Sequence, residues 1–416
     1  MSSTPSTTDK TAGFVAFQHA EFRLFAASRL AGIAAAQIQS VVVAWVVYQI
    51  TGDPLHLGMV GLFIFLPSIL FLLLTGQTAD RYDRRWVMAI SYMVAGATSM
   101  ALMVMVWAGV HNLWVIYSLI FIYGTARAFS FPAGQAILPN LVPRRHFANA
   151  VALNSSIFQT ATIGGPMLGG VLVTAGSAFA FGVAGACYLL SAFLLLFLKK
   201  HKAVATGTRV TLQSLFSGFR YIWQEKTVLG AISLDLFAVL LGGATALLPI
   251  YASDILDVGP RGFGFLRSMP GLGAVVTALY VARWPVNKRM GAKMLVAVAI
   301  FGIATVAFGY STNLWFSLAC LFVMGSSDMI SVYVRQTLVQ LETPDEMRGR
   351  VSAVNSVFIG ASNELGEFES GLLARAVGTV GAVVVGGVGT IAIAALWAWL
   401  FPTLRDRDQL VEDDEA

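Results

Sequence analysis

Charged residues are scarce in this chain of 416 residues, since Asp, Glu, Lys and Arg together make up only 12% of it. Soluble globular domains carry about 25% charged residues. Apolar residues make up 57% of the chain, so the composition argues against an ordinary soluble enzyme and indicates a membrane protein. At about 20 residues per membrane-spanning helix, twelve helices need about 240 residues, which leaves room for short links and two tails.

Cysteine and histidine are also rare, with two and five residues. Cys187 and Cys320 lie inside apolar stretches, where a thiol packs as a small hydrophobic group. The scattered histidines, and the lack of a nucleophile–base or phosphate-loop motif, argue against an enzyme, a metal site or a bound cofactor. The net charge of +5 is spread over short links and forms no continuous basic face, so no nucleic-acid partner is expected.

Apolar stretches separated by polar links predict an all-α protein with twelve transmembrane helices. The predicted spans are 24–50, 57–79, 87–109, 113–135, 149–173, 178–198, 228–252, 263–283, 292–310, 314–338, 350–374 and 379–401. Of the 27 Lys and Arg residues, 21 lie in the tails and in the links on the same side. Only Arg261, Arg267 and Arg375 lie on the other side, and three lie within spans. Positive residues favour the cytoplasmic side, so we expect a plasma-membrane protein with both termini in the cytoplasm.

The links divide the chain into five predicted parts. They are a disordered cytoplasmic tail without a signal peptide (1–20), a six-helix bundle (21–198), a cytoplasmic linker (199–227), a second six-helix bundle (228–402) and an acidic cytoplasmic tail (403–416). Apolar residues recur at helical spacing within the linker, namely Leu212, Leu215, Phe216, Phe219, Ile222 and Trp223. This spacing predicts an amphipathic helix that lies on the inner membrane surface.

The two bundles resemble each other in sequence at a constant offset of 201 residues. The identical pairs are Gly124 and Gly325, Gln135 and Gln336, Pro143 and Pro344, Ala152 and Ala353, Asn154 and Asn355, Ser155 and Ser356, Gly165 and Gly366, and Gly170 and Gly371. Eight identical pairs in the same order, without a gap, indicate that the two bundles are parallel repeats. Repeats of this kind place a small-molecule site at their interface near the middle of the membrane.

The end of the second span reads Gly76-Gln-Thr-Ala-Asp80-Arg81-Tyr-Asp83-Arg84-Arg85. It resembles the signature G-x-L-A-D-R-x-G-R-[RK] of the major facilitator superfamily, from which it departs at Thr78 and Asp83. A glycine permits close helix contact, and the acid and arginines then latch that contact. The resemblance implies a cytoplasmic gate of Gly76, Asp80, Arg81, Arg84 and Arg85, with Asp80 meeting Arg348 and Arg350 at the start of span eleven. Alternatively, the arginines only set the topology.

The fifth span contains Ala161-Thr-Ile-Gly-Gly165-Pro166-Met-Leu-Gly169-Gly170, which resembles the exporter signature G-x-x-x-G-P-x-x-G-G of the same superfamily. Further similar segments are Trp45-Val-Val-Tyr-Gln-Ile-Thr-Gly and Glu342-Thr-Pro-Asp-Glu-Met-Arg-Gly-Arg-Val. Together these segments resemble the bacterial branch of enterobactin exporters and drug-efflux proteins, and this resemblance implies a location in the bacterial inner membrane. Gly165, Pro166, Gly169 and Gly170 are therefore expected to form a close helix contact that differs between two states, although simple close packing needs the same residues.

Ionisable residues within spans each cost roughly 2.5–3.5 kcal/mol, so they mark candidate pathways for protons or substrate. The candidates are Arg127, Asp235, Asp328, Arg335, Glu364, Glu367 and Glu369. Arg29 lies near a predicted helix end and is expected to reach the headgroups. The repeat aligns Arg127 with Asp328, and we expect these two charges to face each other across the cavity. Alternatively, Asp328 pairs with Arg335 on the same helix.

Glu364 and Glu367 share one face of span eleven, and Glu369 points elsewhere. Neighbouring carboxylates in a poorly hydrated place rarely both ionise, so we expect proton coupling here, with Glu367 ahead of Glu369. Alternatively, these acids bond to arginine or to the backbone. The sequence thus predicts a proton-driven exporter of a small amphipathic molecule such as a siderophore or drug. An importer or a lysophospholipid flippase of the same fold, or a receptor or scaffold that transports nothing, remains an alternative.

Overall fold

The computed structural model describes residues 9–199, 212–284 and 289–407, and every regular element in these ranges is helical. The α-helices are α1 Ala20–Thr51, α2 Pro54–Leu70, α3 Leu72–Arg81, α4 Arg84–Trp107, α5 Leu113–Ile137, α6 Phe147–Thr174, α7 Ser177–Leu196, α8 Leu212–Gln224, α9 Lys226–Leu241, α10 Leu248–Ile250, α11 Gly259–Arg283, α12 Met290–Gly309, α13 Leu314–Glu342, α14 Asp345–Val377, α15 Thr379–Leu400 and α16 Pro402–Arg405. The described ranges also contain one π segment, Tyr251–Ile255, and short 3₁₀ segments at Asp9–Gln18, Leu138–Asn140, Arg144–His146 and Ala244–Leu247.

Helices α1–α7 form the N-terminal bundle and α9–α15 the C-terminal bundle, and successive long helices run in opposite directions. We call the end of the molecule that contains the start of α1 and the end of α15 the terminal face, and the other end the opposite face. Two residues 201 apart begin equivalent helices at the opposite face. The Asn112 side chain accepts from the Trp114 amide at 3.0 Å, and the Asn313 side chain accepts from the Trp315 amide at 3.0 Å. Both are N-caps, which satisfy amides that lack a partner within the helix.

Ten helices in the described ranges are long and apolar enough to cross a membrane. The two other predicted spans, the second and the eleventh, are also helical but do not meet these criteria of length and apolar character. The second is broken, because α2 contains Pro67 and ends at Leu70 before α3 begins at Leu72, and proline removes a helical hydrogen bond. The eleventh, α14, has 33 residues but carries many charges along its length.

The expectation of a disordered tail over residues 1–20 is wrong for Asp9–Gln18, which forms 3₁₀ turns on both sides of a kink at Phe14. The Ala16 amide donates to Asn149 Oδ1 at 3.0 Å. The Phe17 ring packs edge-on against the Phe22 ring at 5.3 Å. These contacts hold the segment on the terminal face. Residues 1–8 and 408–416 of the predicted tails, and 200–211 of the predicted linker, lie outside the described residues.

The helix predicted in the linker is present as α8. Ile222 is 1% exposed and belongs to a cluster with Val351 and Val354 of α14. Phe216 and Trp223 on its other side are 70% and 60% exposed. The helix therefore packs on the C-terminal bundle and leaves an aromatic side uncovered, as expected of a helix at a membrane surface.

Equivalent glycines pack the fifth and eleventh spans against the first helix of their own bundles. A Cβ atom on Gly165 of α6 would lie 2.5 Å from Gln37 Cβ of α1. A Cβ atom on Gly366 of α14 would lie 3.0 Å from the Leu240 carbonyl oxygen of α9. Only glycine allows so close an approach. The repeated sequence thus produces a repeated packing arrangement.

A second pair of equivalent glycines joins the two bundles. A Cβ atom on Gly170 of α6 would lie 2.9 Å from Gly264 Cα of α11. A Cβ atom on Gly371 of α14 would lie 3.0 Å from Gly58 Cα of α2. Both contacts lie in the half of the molecule near the opposite face, so the bundles meet tightly there.

Candidate functional site

A cavity of about 350 Å³ lies at the centre of the molecule, between the bundles and partly inside the N-terminal bundle. This volume lies within the range of small-molecule sites. Its polar and charged lining consists of Arg29, Gln37, Gln39, Ser40, Ser91, Tyr92, Tyr123, Arg127, Ser130, Tyr188, Arg267, Glu364 and Glu367. Seven of its apolar and aromatic lining residues are Ile33, Val43, Leu57, Val60, Ile120, Phe131 and Phe158.

Polar contacts between the bundles close the cavity toward the opposite face. The Tyr48 hydroxyl of α1 donates to the Asp254 carboxylate in the π segment. Arg375 near the end of α14 lies 3.7 Å from Asp53, the N-cap of α2. Together with the glycine contacts, these bonds fasten the two bundles on that side.

On the terminal face, the bundles are separated where the family signature predicts a close contact. Within the described residues, a Cβ atom on Gly76 of α3 or on Gly360 of α14 would have nothing within 4 Å. Phe131 and Phe158, which line the cavity, are 58% and 43% exposed. The cavity therefore opens toward the terminal face, and the close approach expected at Gly76 is absent in this state.

The arginines of the predicted gate bond within the N-terminal bundle. Arg84 Nη1 donates to the Ala136 carbonyl oxygen at 2.8 Å. Arg85 lies 3.5 Å from Asp83 and donates to the Leu198 carbonyl oxygen. These bonds tie the ends of α4, α5 and α7 together.

Two hydrogen bonds of the gate residues Arg348 and Arg350 lie on the C-terminal side of the interface. Arg348 Nε donates to the Gln340 carbonyl oxygen at 3.0 Å, and Arg350 Nη1 donates to Ser217 Oγ at 3.3 Å. Arg81 is exposed, and the side chain of Asp80 lies outside the described residues. The latch between Asp80 and the start of α14 stays a prediction for the state in which this face is closed.

Arg127 meets a different acid from the one expected. Arg127 Nη1 of α5 lies 3.0 Å from Glu364 Oε1 of α14, across the interface between the bundles. The expected pairing with Asp328 is wrong for this state, because Asp328 is grouped with Asp235 and Arg335 inside the C-terminal bundle. The symmetry of the repeat relates the positions of helices but does not determine which side chains meet. In this state the acid that meets Arg127 lies on α14 and not on α13.

Arg267, assigned by the sequence to the outer links, lines the cavity instead. Helix α11 begins at Gly259, so Arg267 lies two turns inside the helix. Arg267 Nη2 donates to Ser40 Oγ of α1 at 2.9 Å and lies 4.0 Å from Glu367 Oε1. Arg267 thus faces the Glu367 carboxylate across the cavity wall.

Arg29 also lines the cavity, contrary to the expectation that it reaches the headgroups. Helix α1 begins at Ala20, so Arg29 lies about 13 Å along the helix at 1.5 Å per residue. Its side chain is buried, with 8% exposed, and interacts with Tyr92. No salt bridge within the described residues includes Arg29.

Two of the three acids predicted on span eleven reach the cavity. Glu364 and Glu367 line it, three residues apart on one face of α14. Glu369 is absent from its lining and interacts with the Ser370 hydroxyl. The face of α14 that helical spacing predicts to carry Glu364 and Glu367 therefore lines the cavity.

A second group of charges lies inside the C-terminal bundle. Arg335 Nη1 lies 2.7 Å from Asp235 Oδ2, and the two side chains are 3% and 6% exposed. Asp328 lies beside this pair, and with Ser327 and Ser331 it lines a void of about 10 Å³. The alternative pairing of Asp328 with Arg335 is replaced in this state by pairing of Arg335 with Asp235.

Residues 11–413 match the protein family described as transmembrane secretion effectors. The sequence is 26% identical over 390 residues to the enterobactin exporter EntS of Citrobacter koseri. This match covers 93% of each chain. The sequence is also 25% identical over 373 residues to the MFS-type transporter YfiS of Bacillus subtilis. This match covers 84% of this chain and 85% of YfiS. These similarities extend through both bundles.

Solved structures of transporters share the fold. A bacterial homologue of the human lysosomal transporter Spinster superposes with a TM-score of 0.73 at 13% identity, covering 95% of this chain and 99% of that one. A transporter of the POT family superposes with a TM-score of 0.72 at 13% identity, covering 92% and 96%. At this identity the likeness concerns the arrangement of helices.

Proposed function

The chain belongs to the transmembrane secretion effectors of the major facilitator superfamily and is therefore a secondary transporter in a membrane, and from this premise we propose that it exports a small amphipathic molecule in exchange for protons. The observation that carries this proposal is a central cavity with acidic and basic lining that opens on one face only. Alternating access needs such a site between two repeats.

The excess of basic residues supports placing the terminal face in the cytoplasm of a bacterial inner membrane. In that orientation the described state is loaded from the cytoplasm. Closure of the terminal face by Asp80 and the start of α14, with opening of the contacts at Gly170 and Gly371, then releases the cargo outside. The name of the EntS relatives agrees with this direction.

Charge balance favours Asp328 over Glu367 as the residue that carries the proton. In the cavity, Glu364 and Glu367 each face an arginine. In the C-terminal bundle, two acids share Arg335, which bonds to Asp235. One negative charge would thus remain uncompensated among apolar side chains, and a proton on Asp328 removes it. The adjacent void has room for about one water molecule to deliver that proton.

The test is transport in proteoliposomes with an imposed pH gradient, a pH-sensitive dye inside, and a panel of siderophores and amphipathic drugs. We expect proton flux that depends on one of these cargoes. Asp328→Asn should abolish the gradient-driven flux but keep exchange of cargo without a gradient. Glu367→Gln, a matched neutralisation, should retain most of the driven flux.

Other results would overturn parts of the proposal. Driven flux that persists in Asp328→Asn and stops in Glu367→Gln would assign coupling to α14. Cargo and protons that move in the same direction would indicate an importer. Export of lysophospholipid alone would indicate a flippase. No transport of any cargo, with specific binding retained, would favour a receptor or scaffold.

A further inference from the structure

The charges that line the central cavity do not cancel. Among the described residues, three arginines and two glutamates line it. Arg127 pairs with Glu364, and Arg267 lies near Glu367. Arg29 therefore carries the excess positive charge, on the side of the cavity formed by the N-terminal bundle.

We propose that Arg29 forms a subsite for the negatively charged group of an aromatic cargo. This inference rests on the proposed transport function and names the class of molecule that the cavity selects. Negative groups such as carboxylate or phenolate accept charge-assisted hydrogen bonds from a guanidinium, which are about twice as strong as neutral ones. The subsite thus selects cargo by the sign of its charge.

An unused hydrogen-bonding group marks this part of the cavity. Within the described residues, Arg29 Nε is buried without a hydrogen-bond partner, and Arg29 is 8% exposed. Arg29 lines the cavity. A buried polar group without a partner is costly, and a ligand with an acceptor group would satisfy the Arg29 donor.

Two glycines allow the arginine and a tyrosine to occupy this site. A Cβ atom on Gly134 of α5 would lie 3.2 Å from Arg29 Nη1, so the guanidinium packs against the helix backbone there. A Cβ atom on Gly32, one turn after Arg29 on α1, would lie 2.9 Å from Tyr92 Cζ. The Tyr92 ring is thereby held beside the guanidinium. The packing fixes the charge in place before the cargo arrives, which favours affinity.

Two further aromatic rings continue from Tyr92, which lies beside the charge. The Tyr188 ring lies 6.2 Å from the Tyr92 ring and 6.2 Å from the Tyr123 ring, and the Tyr188 hydroxyl donates to the Tyr123 hydroxyl at 3.2 Å. All three tyrosines line the cavity. Aromatic side chains pack well against a flat aromatic body, and the Tyr123 hydroxyl, which accepts from Tyr188, can donate its own proton. The lining therefore fits an aromatic anion better than an aliphatic one.

A cationic cargo finds a less suitable site. Both acids of the cavity face an arginine, so a cation must displace one of these arginines. The acids Asp235 and Asp328 line the separate void in the C-terminal bundle and not the central cavity. The fixed charges available to a cargo in this state therefore favour anions.

The proposal is tested by equilibrium binding to the full chain in nanodiscs, without any gradient. The probes are radiolabelled 2-naphthoate and its neutral analogue 2-naphthamide, which differ mainly in charge. We expect wild-type protein to bind the anion about tenfold more tightly than the amide. Arg29→Gln should remove this preference, and Arg29→Lys should keep part of it. Arg283→Gln, which removes an exposed arginine at the end of α11, is the matched control.

A second variant makes the test independent of the folding of Arg29→Gln. Tyr92→Phe removes only the hydroxyl beside the guanidinium and should weaken binding of 2-naphthoate several-fold, with 2-naphthamide unchanged. Equal affinity of the wild type for both probes would overturn the subsite, as would a charge preference that survives in Arg29→Gln. Because binding is measured without transport, these results stand apart from any failure of proton-driven export.

Discussion

Arg127 of α5 and Glu364 of α14 form a salt bridge across the interface between the two repeats, with 3.0 Å between Nη1 and Oε1. The Arg127 side chain is 54% exposed and that of Glu364 is 16% exposed. Pairs with this exposure contribute about 0.2–1 kcal/mol. That amount is small for stability but sufficient to bias an equilibrium between two states of a transporter.

Arg127→Ala and Glu364→Ala should each shift the protein away from the described state by up to about fivefold. The shift is measured as the rate at which an impermeant thiol reagent labels Ala44→Cys from the opposite face, with both native cysteines replaced. Ala44 lines the cavity, which is closed on that side. The double variant should match the single ones. Strictly additive effects would show that the pair does not couple the bundles.

Gly170 should determine whether the opposite face can close. A Cβ atom at this position would lie 2.5 Å from the Pro260 carbonyl oxygen of α11. Gly170→Val should therefore separate α6 from α11 and raise labelling of Ala44→Cys from that face several-fold. Gly164→Val on the same helix is the control, because a Cβ atom on Gly164 would have no described neighbour within 4 Å. Equal labelling in both variants would argue against a role of Gly170 in closure.

The buried pair of Asp235 and Arg335 should matter more for stability than exposed pairs. Removing one partner of a buried ion pair leaves an uncompensated charge and costs about 3–5 kcal/mol. Arg335→Met should therefore lower the melting temperature clearly, and Asp235→Leu together with Arg335→Met should recover much of the loss. Arg375→Gln removes a pair in which the arginine is 58% exposed and should cost about 1 kcal/mol or less. Similar losses in both single variants would contradict this account.

Most of the fold follows from the sequence, because apolar length, caps and repeated residues define it locally. Asn112 and Asn313 begin helices close to the predicted starts. The break after Pro67 was not predicted, because the apolar stretch continues through Phe71 and hydrophobicity alone does not show where a helix is interrupted.

The site was predicted only in part. Glu364 and Glu367 were identified because acids stand out in an apolar stretch. Arg29 and Arg267 were misplaced because the predicted spans begin at residues 24 and 263, four residues after α1 and α11 begin. Four residues correspond to about 6 Å of helix, enough to move an arginine from the bundle interior to its edge. The partner of Arg127 depends on helix packing between bundles, which no local pattern contains.

Two histidines on the terminal face hold the first 3₁₀ segment near α6. His19 Nε2 and His146 Nδ1 are 2.9 Å apart, just before α1 and α6 begin. Partial burial, and the charges of Arg145 and His19, lower the pKa of His146 from its ordinary value. The folded state thus favours a neutral His146 ring, so this contribution to stability is present above about pH 6.5, the ordinary histidine pKa.

As the pH falls below about 6.5 and through the lowered pKa of His146, this contribution should be lost, because a protonated His146 ring cannot accept a hydrogen bond from His19. Hydrogen exchange of Asp9–Gln18 should therefore be faster at pH 5.5 than at pH 7.5, relative to unstructured peptides at each pH. His146→Gln removes the titration and should abolish the difference, whereas His111→Gln, in the link before α5, should preserve it. Unchanged pH dependence in His146→Gln would assign the effect to another group.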